Sequence, residues 1–206
     1  MMKNFIEISD SEEEQVDKLK KWWDSNGKQI IAGAVIGLGA IFGWNTYVDY
    51  QDNKSLNARA LYLSYESDSA NVEAYDKLIK NHSSSIYADQ GTLLMAKYLF
   101  EAGSYSLALD TLELLKSREN SVIASTAILR SASIHLDQGQ HEEALSVLNI
   151  ENTNGLSGLF YNLTGDIYLD LGNYEDAKKN YALAIENITE NSSLAQLIQI
   201  KLDDLN

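Results

Sequence analysis

Three histidines are the side chains of this sequence best suited to acid–base catalysis or metal binding. His135 occupies a position that elsewhere in the chain is held by Leu or Tyr, so we interpret it as a packed histidine. His82 in a loop and His141 in a turn are expected to be solvated. Cysteine is absent, which excludes thiolate metal sites, disulfides and Cys nucleophiles, and no HExxH, GxSxG or Gly-rich phosphate motif occurs. The sequence therefore predicts no catalytic residue, no metal site and no cofactor.

The composition indicates a helical protein that does not bind nucleic acid. The chain has 206 residues, a formal net charge of −14 and no proline. Without proline, long helices are not interrupted, which favours an all-α fold. Nucleic-acid binding needs a basic surface to neutralise phosphates, so the acidic balance argues against it.

One uncharged run near the N-terminus, residues 30–48, predicts a single transmembrane helix through the lipid bilayer. At 1.5 Å per residue it is about 28 Å long, close to the bilayer core. A cleaved signal peptide would end in small residues, whereas this run ends in Trp44, Asn45, Thr46 and Tyr47. A soluble core helix would rarely contain four glycines, because each costs about 1 kcal/mol relative to Ala in water.

The placement of Lys and Arg predicts the orientation of this span. Four lysines precede it within residues 18–28, while only Lys54 and Arg59 follow it closely. Basic residues favour the cytoplasmic side. We therefore expect residues 1–29 to form a cytoplasmic tail and residues 49–206 to form a domain on the far side of the membrane.

The glycines of the span form two pairs one helical turn apart, Gly33 with Gly37 and Gly39 with Gly43. Such pairs let another helix approach closely in lipid. They predict packing against another membrane protein or a second copy, and ordinary membrane-helix glycine is the alternative.

The remainder of the chain contains four units of about 34 residues. Alanines recur at Ala74, Ala108, Ala144 and Ala177, and five residues before them stand Ser69, Gly103, Gly139 and Gly172. Small or aromatic residues recur at fixed offsets on both sides of each turn, at spacings that share a helix face. The pattern predicts a helix, a turn and a second helix in each unit, followed by a capping helix over residues 194–205.

These units resemble tetratricopeptide repeats, and the unit from Gly165 to Ile185 matches the small–aromatic–Gly–Ala pattern best. The resemblance implies a solenoid whose first helices line a concave, partner-binding groove. The register places on that groove Arg59, Leu63, Glu66, Leu93, Lys97, Phe100, Leu129, Ser133, Leu136, Asn162, Asp166 and Leu169. Leu93, Phe100, Leu136 and Leu169 are the candidate apolar anchors, and this lining lacks a basic cluster that would grip a carboxylate.

The whole architecture resembles the YfgM-type ancillary subunits of the bacterial Sec translocon. The resemblance is sharpest over LKKWWDSNGKQIIAGAVIGLGAIFGWNTY and reappears in LAQLIQIKLDD near the C-terminus. It implies an inner-membrane protein with its C-terminal domain in the periplasm. The partners it implies are Sec translocon subunits, a membrane-anchored periplasmic chaperone of the prolyl-isomerase type, and translocating polypeptides.

Two functions remain open at this point. The first is a non-catalytic adaptor that links newly translocated proteins to periplasmic chaperones. The alternative is an assembly or scaffold factor of another bacterial envelope complex.

Overall fold

The computed structural model describes residues 12–68, 71–118, 121–149, 153–189 and 192–205. Within these ranges the regular secondary structure consists of helices and no strand, which confirms the predicted all-α class. The helices are α1 Glu12–Ser67, α2 Val72–His82, α3 Ile86–Glu101, α4 Tyr105–Lys116, α5 Ser121–Asp137, α6 His141–Leu148, α7 Ser157–Asp170, α8 Tyr174–Glu186 and α9 Ser193–Asp203.

Helix α1 contains the predicted membrane span and extends beyond it at both ends. It is long and apolar enough to cross a membrane, and none of its most apolar stretch is buried inside the protein. Ile36, Leu38 and Phe42 are exposed by 72%, 67% and 79%. Large apolar side chains exposed all around a helix suit lipid as the surrounding solvent.

The chain divides into two compact units between Lys54 and Ser55. The first unit contains the N-terminal part of α1, and the second contains the remaining helices. In the second unit, consecutive helices pack as hairpins, α3 with α4, α5 with α6 and α7 with α8. Residue Ser69, predicted at the turn of the first repeat, lies outside the described residues.

Glycine ends the first helix of three hairpins because the backbone there is left-handed. Gly103, Gly139 and Gly172 have φ of +75°, +69° and +73°, a region that residues with a Cβ rarely adopt. At each turn the N–H after the glycine donates to a carbonyl five residues earlier, as in Ser104 N to Leu99 O at 2.8 Å. The predicted helix–turn–helix units are confirmed at these three turns.

The repeating alanines are structural, as the sequence predicts. Ala74, Ala108, Ala144 and Ala177 are all buried, with exposures of 5%, 0%, 0% and 0%. Their small side chains let the paired helices approach closely. The apolar position four residues after each alanine is buried as well, and its members are Leu78, Leu112, Leu148 and Tyr181.

The core of the second unit is divided into four clusters along the repeats. The last of them, around Ala177, Tyr181, Ala184 and Ile198, is covered by α9. Helix α9 begins where the Ser192 hydroxyl accepts a hydrogen bond from the Ala195 N–H at 3.1 Å. Its fully buried Ile198 confirms the predicted capping helix.

Candidate partner-binding groove

The first helices of the hairpins carry the residues that the repeat register assigns to a groove. Six of these side chains are exposed, namely Arg59, Leu63, Glu66, Lys97, Ser133 and Leu169. Leu63 is exposed by 44% and Leu169 by 36%. Exposed apolar side chains on these helices are available to contact a partner.

A pocket with a cavity volume of about 410 Å³ lies where α3 and α5 pack together. Its lining residues are Ala96, Lys97, Phe100, Leu112, Arg130, Ser133 and Ile134. Leu112, Ala96 and Ile134 are buried, with exposures of 0%, 1% and 5%, and form its floor. Lys97 and Ser133 are exposed and belong to its rim. We call this site the α3–α5 pocket.

The aromatic wall of the α3–α5 pocket is Phe100. Its ring is half-buried and lies 5.5 Å from the Tyr105 ring, measured between centroids, with an interplanar angle of 56°. Tilted aromatic pairs at this separation are favourable. The contact holds the Phe100 side chain beside the pocket.

Two basic side chains meet at the α3–α5 pocket. Arg130 donates from Nη1 to the Leu93 carbonyl oxygen at 2.8 Å, which holds its guanidinium beside α3. Lys97 Nζ lies 3.6 Å from Glu101 Oε1, and both side chains are 59% exposed. Partial burial lowers the pKa of the Arg130 guanidinium below its usual value, yet arginine stays charged at neutral pH. This pair of cations differs from the expectation that the lining has no basic cluster.

Sequence reasoning missed Arg130 because it considered groove positions one repeat at a time. Arg130 lies three residues before Ser133, so both lie on neighbouring positions of one helix face. That spacing was the signal that could have placed Arg130 on the same side of α5 as the predicted groove residue Ser133.

Three of the predicted apolar groove residues contribute to the core. Leu93 is only 8% exposed and belongs to the buried cluster of α3, α4 and α5. Leu129 and Leu136 are half-buried and pack against the next cluster, which contains Ala144 and Phe160. These side chains hold neighbouring repeats together.

Asn162 and Asp166, also predicted for the groove, are hydrogen-bonded by the capping helix. Lys201 Nζ lies 2.7 Å and 2.9 Å from the two Asp166 carboxylate oxygens and 3.2 Å from Asn162 Oδ1. The Tyr181 hydroxyl donates to Asp166 Oδ1 at 2.7 Å. Burial, followed in size by this hydrogen bond, raises the pKa of Tyr181 above its usual value. Lys201 is the single lysine on the apolar stripe of α9, and this was the sequence signal that it pairs with a partly buried acidic side chain.

The histidines are placed differently from one another. His141 Nε2 lies 2.6 Å from Asp170 Oδ2, and His135 Nδ1 lies 2.7 Å from Gln140 Oε1. His82 Nδ1 is buried and has no hydrogen-bond partner among the described residues, and the His141 side chain is only 22% exposed, so both histidines are less solvated than predicted. Within the described ranges, no group of three or more His, Cys, Asp or Glu side chains could hold a metal ion.

The glycines of the span leave open space on α1. Apart from the adjacent residues and the nearby backbone of α1 itself, no described atom lies within 4 Å of the position that a Cβ would take at Gly33, Gly37, Gly39 or Gly43. Room for a neighbouring helix is therefore present, and the packing role of these glycines stays a prediction.

Comparisons with known proteins agree with this architecture over nearly the full chain. Residues 20–206 match the family described as "Tetratricopeptide repeat-like domain". A protein of Aggregatibacter actinomycetemcomitans named "Ancillary SecYEG translocon subunit" is 34% identical over 94% of this chain and 97% of its own length. The chain belongs to the ancillary SecYEG translocon subunit family. Ancillary SecYEG translocon subunits of Haemophilus influenzae and Escherichia coli are similar to it at 29% and 21% identity, over 94% and 97% of the chain.

Membership in the ancillary SecYEG translocon subunit family covers both units of the chain. The match to the tetratricopeptide repeat-like domain family begins at residue 20, before the predicted span, and ends with the last residue. The apolar part of α1 and the tetratricopeptide-like hairpins are thus found together in one family pattern. The resemblance seen in the sequence is confirmed.

Proposed function

We propose that this chain is a non-catalytic, membrane-anchored adaptor at the bacterial Sec translocon. The observation that carries the proposal is the end-to-end similarity to proteins named as ancillary SecYEG translocon subunits. In this proposal residues 30–48 cross the inner membrane, residues 1–29 lie in the cytoplasm and residues 49–206 lie in the periplasm. The exposed apolar surface of α1 supports the anchor.

The repeat domain would supply the adaptor function by binding proteins. Its groove would link newly translocated polypeptides to a membrane-anchored periplasmic chaperone of the prolyl-isomerase type. The exposed side chains on the first helices and the α3–α5 pocket support a binding role, because repeat surfaces of this kind contact extended or helical segments.

The partners can be identified by solubilising native membranes in a mild detergent and capturing the tagged chain. We expect stoichiometric recovery of the Sec channel together with a periplasmic chaperone. Recovery of a different envelope machine instead of the Sec channel would overturn the proposal and favour a scaffold role.

The anchor and the groove can be tested separately in the same assay. If the helix docks specifically, replacing residues 30–48 with an unrelated span should abolish recovery of the Sec channel. The orientation is tested by adding protease to spheroplasts from outside, which should cleave residues 49–206. Leu63→Glu and Leu169→Glu change exposed groove positions and should reduce chaperone recovery. Leu114→Glu is the matched control, because Leu114 is 66% exposed on a second helix outside the predicted groove.

A further inference from the structure

The α3–α5 pocket has the chemistry of a binding site for one kind of peptide side chain. Its floor consists of the buried residues Ala96, Leu112 and Ile134, and Phe100 forms one wall. Its volume of about 410 Å³ lies at the lower end of the range, about 300–1,000 Å³, of pockets that hold small ligands. One or two side chains fit such a space, whereas a whole helix does not.

The charged residues around the pocket indicate which chemical group should lie next to the bound apolar side chain. Among the described residues that line it, two are basic, Lys97 and Arg130, and none is acidic. These cations stand together on a protein with a formal net charge of −14, so they form a local exception to its acidic surface. A carboxylate is the complementary group.

Lys97 and Arg130 can each bind a carboxylate without breaking a strong existing contact. Arg130 uses one of its five N–H donors on the Leu93 carbonyl, which leaves donors for a carboxylate. The ion pair of Lys97 with Glu101 spans 3.6 Å between exposed side chains. An exposed pair of this kind contributes about 0–1 kcal/mol, so an incoming carboxylate can replace it.

We propose that the α3–α5 pocket binds an extended, acidic peptide segment of a partner protein, with a large apolar side chain in the pocket and an adjacent carboxylate on Lys97 and Arg130. This rests on the proposed protein-binding function of the groove and specifies the partner's chemistry. The apolar side chain contributes affinity through burial, and the carboxylate contributes selectivity.

The test uses the full-length chain in lipid nanodiscs and the labelled peptide Ser-Gly-Asp-Phe-Asp-Gly-Ser, with binding measured by fluorescence anisotropy. Acidic residues on both sides of Phe remove any dependence on peptide direction. Replacing both Asp by Asn, or Phe by Ser, should weaken binding about tenfold or more, because each change removes a charge-assisted hydrogen bond or buried apolar area. Empty nanodiscs give the blank.

Protein variants assign the binding to the pocket. Lys97→Gln and Arg130→Gln should each reduce the preference for the Asp peptide over the Asn peptide, and Arg130→Lys should partly restore it. Lys77→Gln is the matched control, because Lys77 also pairs with a glutamate on its own helix and is 57% exposed. If Arg130→Gln alters the fold by releasing the Leu93 carbonyl, the exposed Lys97→Gln variant still reports on the site.

Equal affinity for the Asp and Asn peptides would overturn the proposal, and so would undetectable binding of the Asp peptide. Affinity that is unchanged in Lys97→Gln and Arg130→Gln would do the same. None of these results affects the Sec association, because co-purification from native membranes measures that separately.

Discussion

Lys201 Nζ, on the last helix, lies 2.7 Å from Asp166 Oδ1 on α7. Both side chains are largely buried, with 28% and 27% exposure, and Lys201 Nζ also lies 5.5 Å from the centroid of the Tyr181 ring. The capping helix is therefore joined to the last repeat by a charge pair as well as by apolar packing around Ile198. Lys201 thus contacts Asn162 and Asp166, both of which the repeat register assigns to the partner-binding groove.

Breaking this pair should destabilise the repeat domain. In Lys201→Met, the Asp166 carboxylate keeps the Tyr181 hydroxyl and loses its cation, so we expect the free energy of unfolding to fall by about 1–3 kcal/mol. Chemical denaturation followed by circular dichroism measures the change. Lys77→Met, which breaks the exposed pair with Glu73, should cost about 0–1 kcal/mol. Equal costs for the two variants would contradict a special role for Lys201.

Gly165 should not tolerate a methyl group. A Cβ at this position would lie 2.6 Å from Tyr181 Cε1. The Tyr181 side chain is fully buried, so it cannot move away into solvent. Gly165→Ala should therefore lower the free energy of unfolding by about 1–3 kcal/mol, in spite of the better helix propensity of Ala. Thermal or urea unfolding of the purified chain checks this.

The double variant separates the steric cause from others. In a Tyr181→Leu background the ring atoms that oppose the new methyl group are absent, so Gly165→Ala should cost clearly less there. The same cost in both backgrounds would show that the Tyr181 ring is not the obstacle.

Tyr65 should make the repeat domain sensitive to alkaline pH. Burial, followed in size by the neighbouring Tyr75 and Tyr98, raises the pKa of Tyr65 from 10.0 to about 12. The folded state thus holds its proton more tightly than the unfolded chain does. This contribution to stability is complete below pH 10 and is lost as the pH rises from 10 through 12.

Urea unfolding at a series of pH values tests this sign. The free energy of unfolding of the parent protein should fall above pH 10, and Tyr65→Phe should show a shallower fall because it removes one ionising hydroxyl. Tyr174→Phe, at a side chain that is 56% exposed, is the control and should keep the parent slope. A steeper fall in Tyr65→Phe would contradict the assignment.

The glycine pairs of the span should matter for association in the membrane. At about 100° per residue, Gly33 and Gly37 lie about 40° apart on one face of the helix, and Gly39 and Gly43 lie about 40° apart on a second face about 120° away. Leu at Gly37 or Gly43 would fill space that is open in the structure, so recovery of the Sec channel should fall severalfold. Ala34→Leu, a similar enlargement that lies about 60° from Gly37 and on the opposite side of the helix from Gly43, should leave recovery unchanged. Full recovery with both glycine variants would favour contacts made elsewhere.

Much of the candidate site could be predicted from residue spacing. The turn glycines and repeat alanines define the helix pairs. The register assigns Arg59, Leu63 and Lys97 to the groove, and all three are exposed, while their role in binding stays a prediction. The register could not say which apolar positions stay open. Leu136 and Leu169 occupy equivalent repeat positions, three residues before the turn glycine, yet Leu136 is half-buried and Leu169 is 36% exposed. The difference depends on neighbouring helices, which a repeat pattern does not describe.

The sequence by itself determined the helical class, the uncharged span and the repeat units, because these follow from local properties. The local properties are the hydropathy along one helix, the left-handed turn that glycine favours, and the need for a small residue where helices touch. Tertiary structure alone decided that Arg130 and Lys97 line the same pocket, and that Lys201 binds the Asp166 carboxylate. Lys97 and Arg130 are 33 residues apart in the chain, and Asp166 and Lys201 are 35 residues apart. Their meeting is set by the packing of one hairpin on the next, and no local pattern records it.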